Sequence, residues 1–186
     1  DALPISFQPG EVRVVRTELR QGGGSYDFTV RSRGAHDGEW LEHARASTSV
    51  FLGELTAAPA PAATGWQPGV IPQEKTVEFG ARWHNLSRMQ IGNGRAFAQL
   101  ELAPAFHIDA QTFSVHPALA DMAATFGLHL LDANKRAGQL FVPLSIDRIR
   151  IAAPLPPRIA SSVKLTSAAT DGLATRPDLD HSPLFA

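Results

Sequence analysis

The sequence predicts an α+β fold in which antiparallel strands accompany one helix. Segments on both sides of the chain's middle alternate polar and apolar residues, or are rich in β-branched and aromatic residues, as strands are. Residues 117–132 instead repeat their apolar side chains at helical spacing. Residues 53–69 consist mainly of Ala, Pro, Thr and Gly, a composition typical of an extended linker. The predicted organisation is therefore an N-terminal unit of residues 1–52, that linker, and a C-terminal unit of residues 70–186 carrying the helix.

Three predicted strands make up the N-terminal unit. Residues 11–20 alternate polar and apolar side chains, which is the pattern of a half-buried strand. A Gly-Gly-Gly turn at residues 22–24 separates them from a second strand at residues 26–32. After a turn at residues 34–38, a third strand is expected over residues 40–51. Because short turns join antiparallel neighbours, the unit is predicted to be a three-stranded antiparallel sheet.

The C-terminal unit is predicted to contain further strands around its helix. A Gly-Asn-Gly run at residues 92–94 is a strong hairpin signal between strands at residues 85–90 and 95–102. Two more strands and a loosely held polar tail are predicted at residues 140–151 (interrupted by Pro143), 161–167 and 178–186.

The predicted helix begins at Pro117, since proline is tolerated at the first helical position. Its apolar face is formed by residues at three- and four-residue intervals, namely Leu119, Met122, Phe126 and Leu130. Asp121 lies off that face, and Thr125 follows it one turn later. Asn134 and Gly138 are candidate stop residues. A carboxylic acid on an otherwise apolar helix is a candidate proton donor.

Composition and charge exclude several classes of function. Seventeen Lys and Arg residues oppose 18 Asp and Glu, so the net charge of −1 attracts neither nucleic acid nor an acidic membrane. The absence of cysteine excludes a disulfide framework and a thiolate metal site. No apolar run approaches the roughly 20 residues of a membrane helix. The sequence also lacks zinc-hydrolase spacing, a serine-hydrolase elbow and signal-peptide features at its start. We therefore expect a cytoplasmic protein that needs no metal.

Four segments resemble the dehydratase domain of modular polyketide synthases. His116-Pro117-Ala118-Leu119-Ala120-Asp121 resembles the His-Pro-Ala-Leu-x-Asp segment in the C-terminal half of that domain. Residues 79–86, 94–102 and 140–151 resemble three other segments in the same order. The resemblance covers about residues 10–170 and implies a double hotdog, in which each of two adjacent units wraps antiparallel strands around a long helix. The first hotdog unit is expected to be incomplete, because the chain opens on strands that follow that unit's catalytic motif in the family.

The resemblance also implies a reaction. The family eliminates water from a 3-hydroxyacyl chain on the phosphopantetheine arm of an acyl carrier protein, giving a 2,3-enoyl thioester by His/Asp acid–base catalysis. Asp121 matches the catalytic aspartate. The residues then expected to contact substrate are His116, Pro117, Thr125, Phe79 and Gly80. No metal or redox cofactor is implied. The expected partners are the acyl carrier protein and neighbouring synthase domains, with a homodimer left open and neither nucleic acid nor membrane expected.

Several positions depart from the family's pattern. The family's base is a histidine in His-x-x-x-Gly-x-x-x-x-Pro, and none of the seven histidines here has glycine four residues later. Thr125 stands where the family commonly has Gln or His, Phe79 where it has Tyr, and Ala81 where it has Pro. Two alternatives therefore stay open. One is a catalytically impaired, dehydratase-like scaffold or docking domain. The other is a related activity of the same fold, namely double-bond shift, cyclisation or branching.

Overall fold

The computed structural model describes residues 5, 7–36, 38–53, 64–132, 139–142 and 146–165. The chain divides into two compact units. The first comprises Asp1–Gly53 and Val142–Ile151, and the second comprises Glu54–Phe141 and Ala152–Ala186. Residues 142–151 thus group with the first unit, whereas the sequence analysis placed them in the C-terminal unit. Several residues with predicted roles lie outside the described residues: most of the linker (54–63), the stop residues Asn134 and Gly138, Pro143, the end of the strand predicted at 161–167, and the tail (178–186).

The first unit is built on a three-stranded antiparallel sheet, as predicted, but its first strand is not half-buried, since Val14, Val15 and Leu19 are 41%, 49% and 61% exposed. Its strands, in the spatial order β1-β2-β3, are Arg13–Gly22, Ser25–Gly34 and Leu41–Ser49. The turn between β1 and β2 contains Gly23 and Gly24 at φ of 58° and 84°, a left-handed conformation that glycine adopts without steric cost. Arg31 lies 3.0 Å from Glu42 and 3.9 Å from Glu18 across the strands. Carboxylates thus offset the arginines on this face of the sheet.

The second unit contains a four-stranded antiparallel sheet. In the spatial order β4-β5-β6-β7, its strands are Gln67–Pro68, Leu86–Gly92, Arg95–Glu101 and Arg158–Lys164. β5 and β6 form the predicted hairpin, with Asn93 and Gly94 at φ of 53° and 68° in its turn. Alternate residues of β6, namely Ala96, Ala98 and Leu100, are buried. One face of the hairpin therefore packs on the core of the second unit.

The helix begins at Pro117 as predicted, but its α-helical part is shorter than the expected 117–132. α1 spans Pro117–Thr125, and a 3-10 turn continues it over Phe126–Leu130. Three residues of the predicted apolar face are completely buried, namely Leu119, Met122 and Phe126. The α-helix ends beside Gly127, a weak helix former, where a Cβ atom would lie 2.6 Å from Cγ1 of Val163 in β7. No helix in the described part of the chain is long and apolar enough to cross a membrane.

The strand predicted at residues 140–151 is wrong where the structure describes it. Residues 139–142 and 146–151 adopt no strand conformation. The β-branched side chains that suggested the strand are largely exposed, with Ile146, Ile149 and Ile151 at 58%, 68% and 54%. A run of β-branched residues becomes a strand only when neighbouring strands bury it, and in the described part of the chain this run has none.

Candidate active site

His116 sets the start of α1. Its Nδ1 atom accepts a hydrogen bond from the backbone N–H of Ala118 at 3.2 Å, and its ring is buried. The side chain thus satisfies one of the backbone donors that a helix leaves unpaired at its first turn. His116 has extended backbone angles, as a residue before proline prefers. Because Nδ1 accepts, a neutral His116 ring carries its proton on Nε2.

A short ionic network continues from the other side of the His116 ring. Nε2 of His116 lies 3.4 Å from Oδ2 of Asp109, and the same oxygen accepts a hydrogen bond from Nε of Arg82 at 2.6 Å. The hydrogen bond from Arg82 holds the pKa of Asp109 below its ordinary value, and the contact with His116 acts in the same direction. Asp109 is therefore a carboxylate at neutral pH. Its side chain links the cap of α1 to the arginine.

Asp121 is held by a tryptophan. The indole Nε1–H of Trp83 donates a hydrogen bond to Oδ2 of Asp121 at 2.7 Å, and both residues are half-buried. Trp83 closes the 3-10 turn Ala81–Trp83, just before β5. The hydroxyl of Thr125 donates to the backbone carbonyl of Asp121 at 2.8 Å, not to its carboxylate. The carboxylate is thus oriented from outside its own helix.

Asn85 joins the tryptophan-bearing turn to the helix. This buried side chain donates through Nδ2 to the carbonyl of Arg82 at 2.9 Å and to the carbonyl of Ala118 at 3.1 Å. Its Oδ1 atom is buried and has no hydrogen-bond partner among the described residues. Both bonds are to backbone atoms, so they fix the spacing of two chain segments independently of the side chains those segments carry. The Trp83–Asp121 contact is built on that spacing.

Phe79 and Gly80, two of the predicted substrate contacts, precede the same turn. Phe79 is partly buried and packs against the core of the second unit. The carbonyl of Gly80 accepts the backbone N–H of Trp83 at 2.9 Å, which closes the turn. A Cβ atom at Gly80 would meet no heavy atom within 4 Å, so the local packing does not require glycine there. Gly80 thus helps to hold Trp83 and Phe79 belongs to the packing of the second unit, and their contact with substrate stays a prediction.

A cavity of about 320 Å³ lies beside this network. It is lined by Arg82, Trp83, Asp109, Phe113, His116, Pro117 and Ala118. Of the predicted site residues, His116 and Pro117 are in its wall, whereas Asp121, Thr125, Phe79 and Gly80 are not. Asp121 is connected to the cavity through Trp83. That Asp121 itself faces a substrate channel stays a prediction.

Two other kinds of site can be compared with this one. An open depression of about 600 Å³ lies on the charged face of the first unit. Arg20 and Arg31 in its lining pair with Glu18, and Arg45 pairs with the neighbouring Glu42, which leaves little unbalanced charge for a ligand. Among the described residues, no group of three or more His, Asp or Glu side chains is arranged to hold a metal ion.

Comparison with known proteins identifies the family. A family model described as polyketide synthase dehydratase N-terminal domain matches residues 73–177, more than half of the chain. The chain belongs to the polyketide synthase dehydratase family. The matching family model is described as an N-terminal domain. The resemblance noted in the sequence, in contrast, assigned residues 70–186 to the C-terminal hotdog unit. That assignment stays a prediction.

Curated relatives of this polyketide synthase dehydratase chain are large synthases. Polyketide synthase PksM of Bacillus subtilis (strain 168) is 28% identical over 96 residues, which is 49% of this chain and 2% of PksM. Polyketide synthase PksN of the same strain is 29% identical over 106 residues, which is 56% of this chain and 2% of PksN. The chain therefore spans only a small part of the relatives it matches.

Solved structures of dehydratases share the fold of this family member. The dehydratase domain from the CurH module of the curacin polyketide synthase has a TM-score of 0.69 at 19% identity, covering 84% of this chain and 59% of that one. A structure on dehydratase substrate selection for the borrelidin and fluvirucin polyketide synthases has a TM-score of 0.65 at 18% identity, covering 88% and 60%. The bifunctional dehydratase-cyclase domain in ambruticin biosynthesis has a TM-score of 0.63 at 22% identity, covering 98% and 69%. The predicted α+β fold of the hotdog type is confirmed.

The sequence did not predict most of the side chains that surround His116 and Asp121. Trp83 and Arg82 lie in the segment 79–86 that carries part of the resemblance, which marks the segment but not the partners of these side chains. Asp109 lies in the 3-10 helix Pro104–Gln111 and carries no periodic signal. No pattern in the sequence distinguishes Asn85 from a surface residue.

Proposed function

We propose that this chain supplies the acid of a polyketide synthase dehydratase. The substrate would be a 3-hydroxyacyl chain carried on the phosphopantetheine arm of an acyl carrier protein, and the products would be the 2,3-enoyl thioester and water. Membership of the dehydratase family supports the reaction class. The observation that carries the assignment of the acid is the half-buried Asp121 carboxylate, held at 2.7 Å by the indole of Trp83 on a helix whose start matches the family's segment.

The elimination divides into two proton transfers. A base removes a proton from C2, next to the thioester carbonyl, and that electron pair forms the C2–C3 double bond. The bond from C3 to the hydroxyl oxygen breaks as Asp121 gives its proton to the departing oxygen, so that water leaves and a carboxylate remains. The base in the family is a motif histidine that none of the seven histidines here matches. The proposal therefore assigns the acid step alone to the residues of this chain.

The cavity beside Trp83, the partner of Asp121, suits an acyl substrate. Its wall contains the rings of Trp83, Phe113 and Pro117, which favour an apolar chain, and a polar edge formed by His116, Arg82 and Asp109. His116 and Pro117 are thus the predicted contacts with the best structural support. The proposal needs no metal or redox cofactor, because both of its steps are proton transfers between side chains and substrate. The acyl carrier protein and neighbouring synthase domains would be the partners, and the cytoplasm the location.

The test is water loss by the parent dehydratase domain supplied with a 3-hydroxyacyl acyl carrier protein. Asp121→Asn should lower kcat by about 10²–10⁴-fold, the usual contribution of a general acid, because an amide cannot donate the proton. Mass spectrometry of the carrier-bound product measures the loss of water. Glu74→Gln, which neutralises an exposed carboxylate in the same unit, should leave the rate unchanged. Full turnover by Asp121→Asn would remove Asp121 from the mechanism.

The same assay separates the two alternatives. The ambruticin structure is of a bifunctional dehydratase-cyclase domain, which favours keeping cyclisation as a second candidate function. A cyclic, isomerised or branched product would identify a related activity of the hotdog fold. A parent domain that binds the carrier protein but yields no product at all would indicate a scaffold or docking role.

A further inference from the structure

The two carboxylate oxygens of Asp121 have different surroundings. Oδ2 accepts the indole hydrogen bond of Trp83. Oδ1 receives no hydrogen bond from any residue in the described part of the chain, and the nearby hydroxyl of Thr125 is engaged with a backbone carbonyl. Trp83 is thus the side chain that fixes how the carboxyl group is turned.

The chemistry of the indole decides what this contact can do. An indole N–H only donates, so Oδ2 must accept whether Asp121 is charged or neutral. In the neutral acid the carbonyl oxygen is a stronger acceptor than the hydroxyl oxygen, so the contact at Oδ2 favours the proton on Oδ1. We propose that Trp83 is a positioning residue for the dehydration, which fixes Oδ1 of Asp121 as the oxygen that delivers the proton. This inference rests on the proposed function.

The hydrogen bond from Trp83 also stabilises the carboxyl group during proton transfer. When Oδ1 gives up its proton, negative charge spreads over both oxygens, and a hydrogen bond to a charged acceptor is stronger than one to a neutral acceptor. Trp83 therefore stabilises the developing carboxylate more than it stabilises the acid. An interaction that strengthens along the reaction raises kcat, whereas one that is equally strong throughout changes mainly KM.

The support of Trp83 makes this a rigid arrangement. Its backbone N–H is bonded to Gly80, and the turn that carries it is tied to α1 by Asn85. Trp83 itself packs against the core of the second unit. Both the backbone and the ring of Trp83 are held in place, so the indole N–H has a fixed position from which it orients the carboxyl group.

The kinetic test is Trp83→Phe in the parent domain, which keeps an aromatic ring and removes the donor. We expect kcat to fall about tenfold with KM nearly unchanged. Thr125→Gln places a side-chain amide one helical turn from Asp121, within reach of its carboxylate. Adding it to Trp83→Phe should restore most of kcat, because the amide N–H replaces the lost donor. Trp66→Phe is the matched control, because that ring lies in the same unit and stacks with Arg88 instead.

The structural test is independent of activity. The chain has three tryptophans, so its indole N–H groups give three NMR signals, and Trp83→Phe identifies one of them. Asp121→Asn should shift the Trp83 signal and leave those of Trp40 and Trp66 in place. A Trp83 signal unmoved by Asp121→Asn, or an undiminished kcat in Trp83→Phe, would overturn the inference. A signal that moves in a domain without dehydratase activity would overturn the proposed function and leave the contact standing.

Discussion

Replacing Phe126 by alanine tests the packing of the helix that carries Asp121. Phe126 lies at the junction of α1 and the 3-10 turn, and its side chain is completely buried. A buried aromatic side chain removes about 150–250 Å² from water, worth about 4–6 kcal/mol at about 25 cal/mol per Å². Partial retention of that burial in the unfolded chain lowers the figure, and Phe→Ala substitutions in cores cost about 3–5 kcal/mol. We expect Phe126→Ala to lower the free energy of unfolding by that amount.

Urea unfolding followed by tryptophan fluorescence measures the loss. A Trp40→Phe background confines the signal to the second unit, because Trp66 and Trp83 both lie there. Phe113→Ala is the matched control, since Phe113 is 43% exposed and should cost roughly half as much, about 2 kcal/mol. The slope of the unfolding free energy against urea should stay the same in both variants. If Phe126→Ala costs no more than Phe113→Ala, the inward orientation of Phe126 is wrong.

Two further perturbations address the supports of the site. Asn85→Ala leaves the carbonyls of Arg82 and Ala118 without their buried donor, so unfolding free energy should drop by about 1–3 kcal/mol, measured in the same urea assay; an unchanged midpoint would show that these bonds do not form in solution. Arg82→Met removes the main cause of the lowered pKa of Asp109, whose ordinary value is 3.8. The stabilisation from that carboxylate is present above its unfolded pKa and is lost as pH falls through the lower folded value. The melting temperature, measured between pH 2 and 5, should therefore decrease less steeply toward acid in Arg82→Met than in the parent. The same pH dependence in both proteins would contradict the Arg82–Asp109 pair.

Local patterns in the sequence were sufficient for the elements whose geometry is local. The alternating residues that predict β1, the Asn93-Gly94 turn of the β5–β6 hairpin and Pro117 at the start of α1 all act within a few residues. Each of these predictions is confirmed, since the turn and the helix start depend on adjacent residues and β1 pairs with the next strand along the chain, β2.

Distant contacts account for what the sequence did not predict. The strand expected at 140–151 has suitable side chains, but forming a strand depends on a neighbour that local patterns cannot identify. The α-helix gives way to a 3-10 turn beside Gly127, which lies against Val163 of β7, and no local pattern identifies that neighbour. The partner of Asp121 is Trp83, far earlier in the chain, and the resemblance directed attention to Thr125 instead. Residue type marks which side chains can do chemistry, whereas tertiary packing decides which of them meet.

The close approach of Gly127 to Val163 restricts how this region can change in length. With no room for an atom between the helical segment and β7, residue 127 is a fixed anchor point. One residue inserted between Asp121 and Gly127 would turn the aspartate by about 100° around the helix axis relative to that anchor. The carboxylate would then point away from Trp83. We therefore expect an insertion or deletion in this stretch to disrupt the Trp83–Asp121 contact, whereas replacing an exposed side chain there would leave it in place.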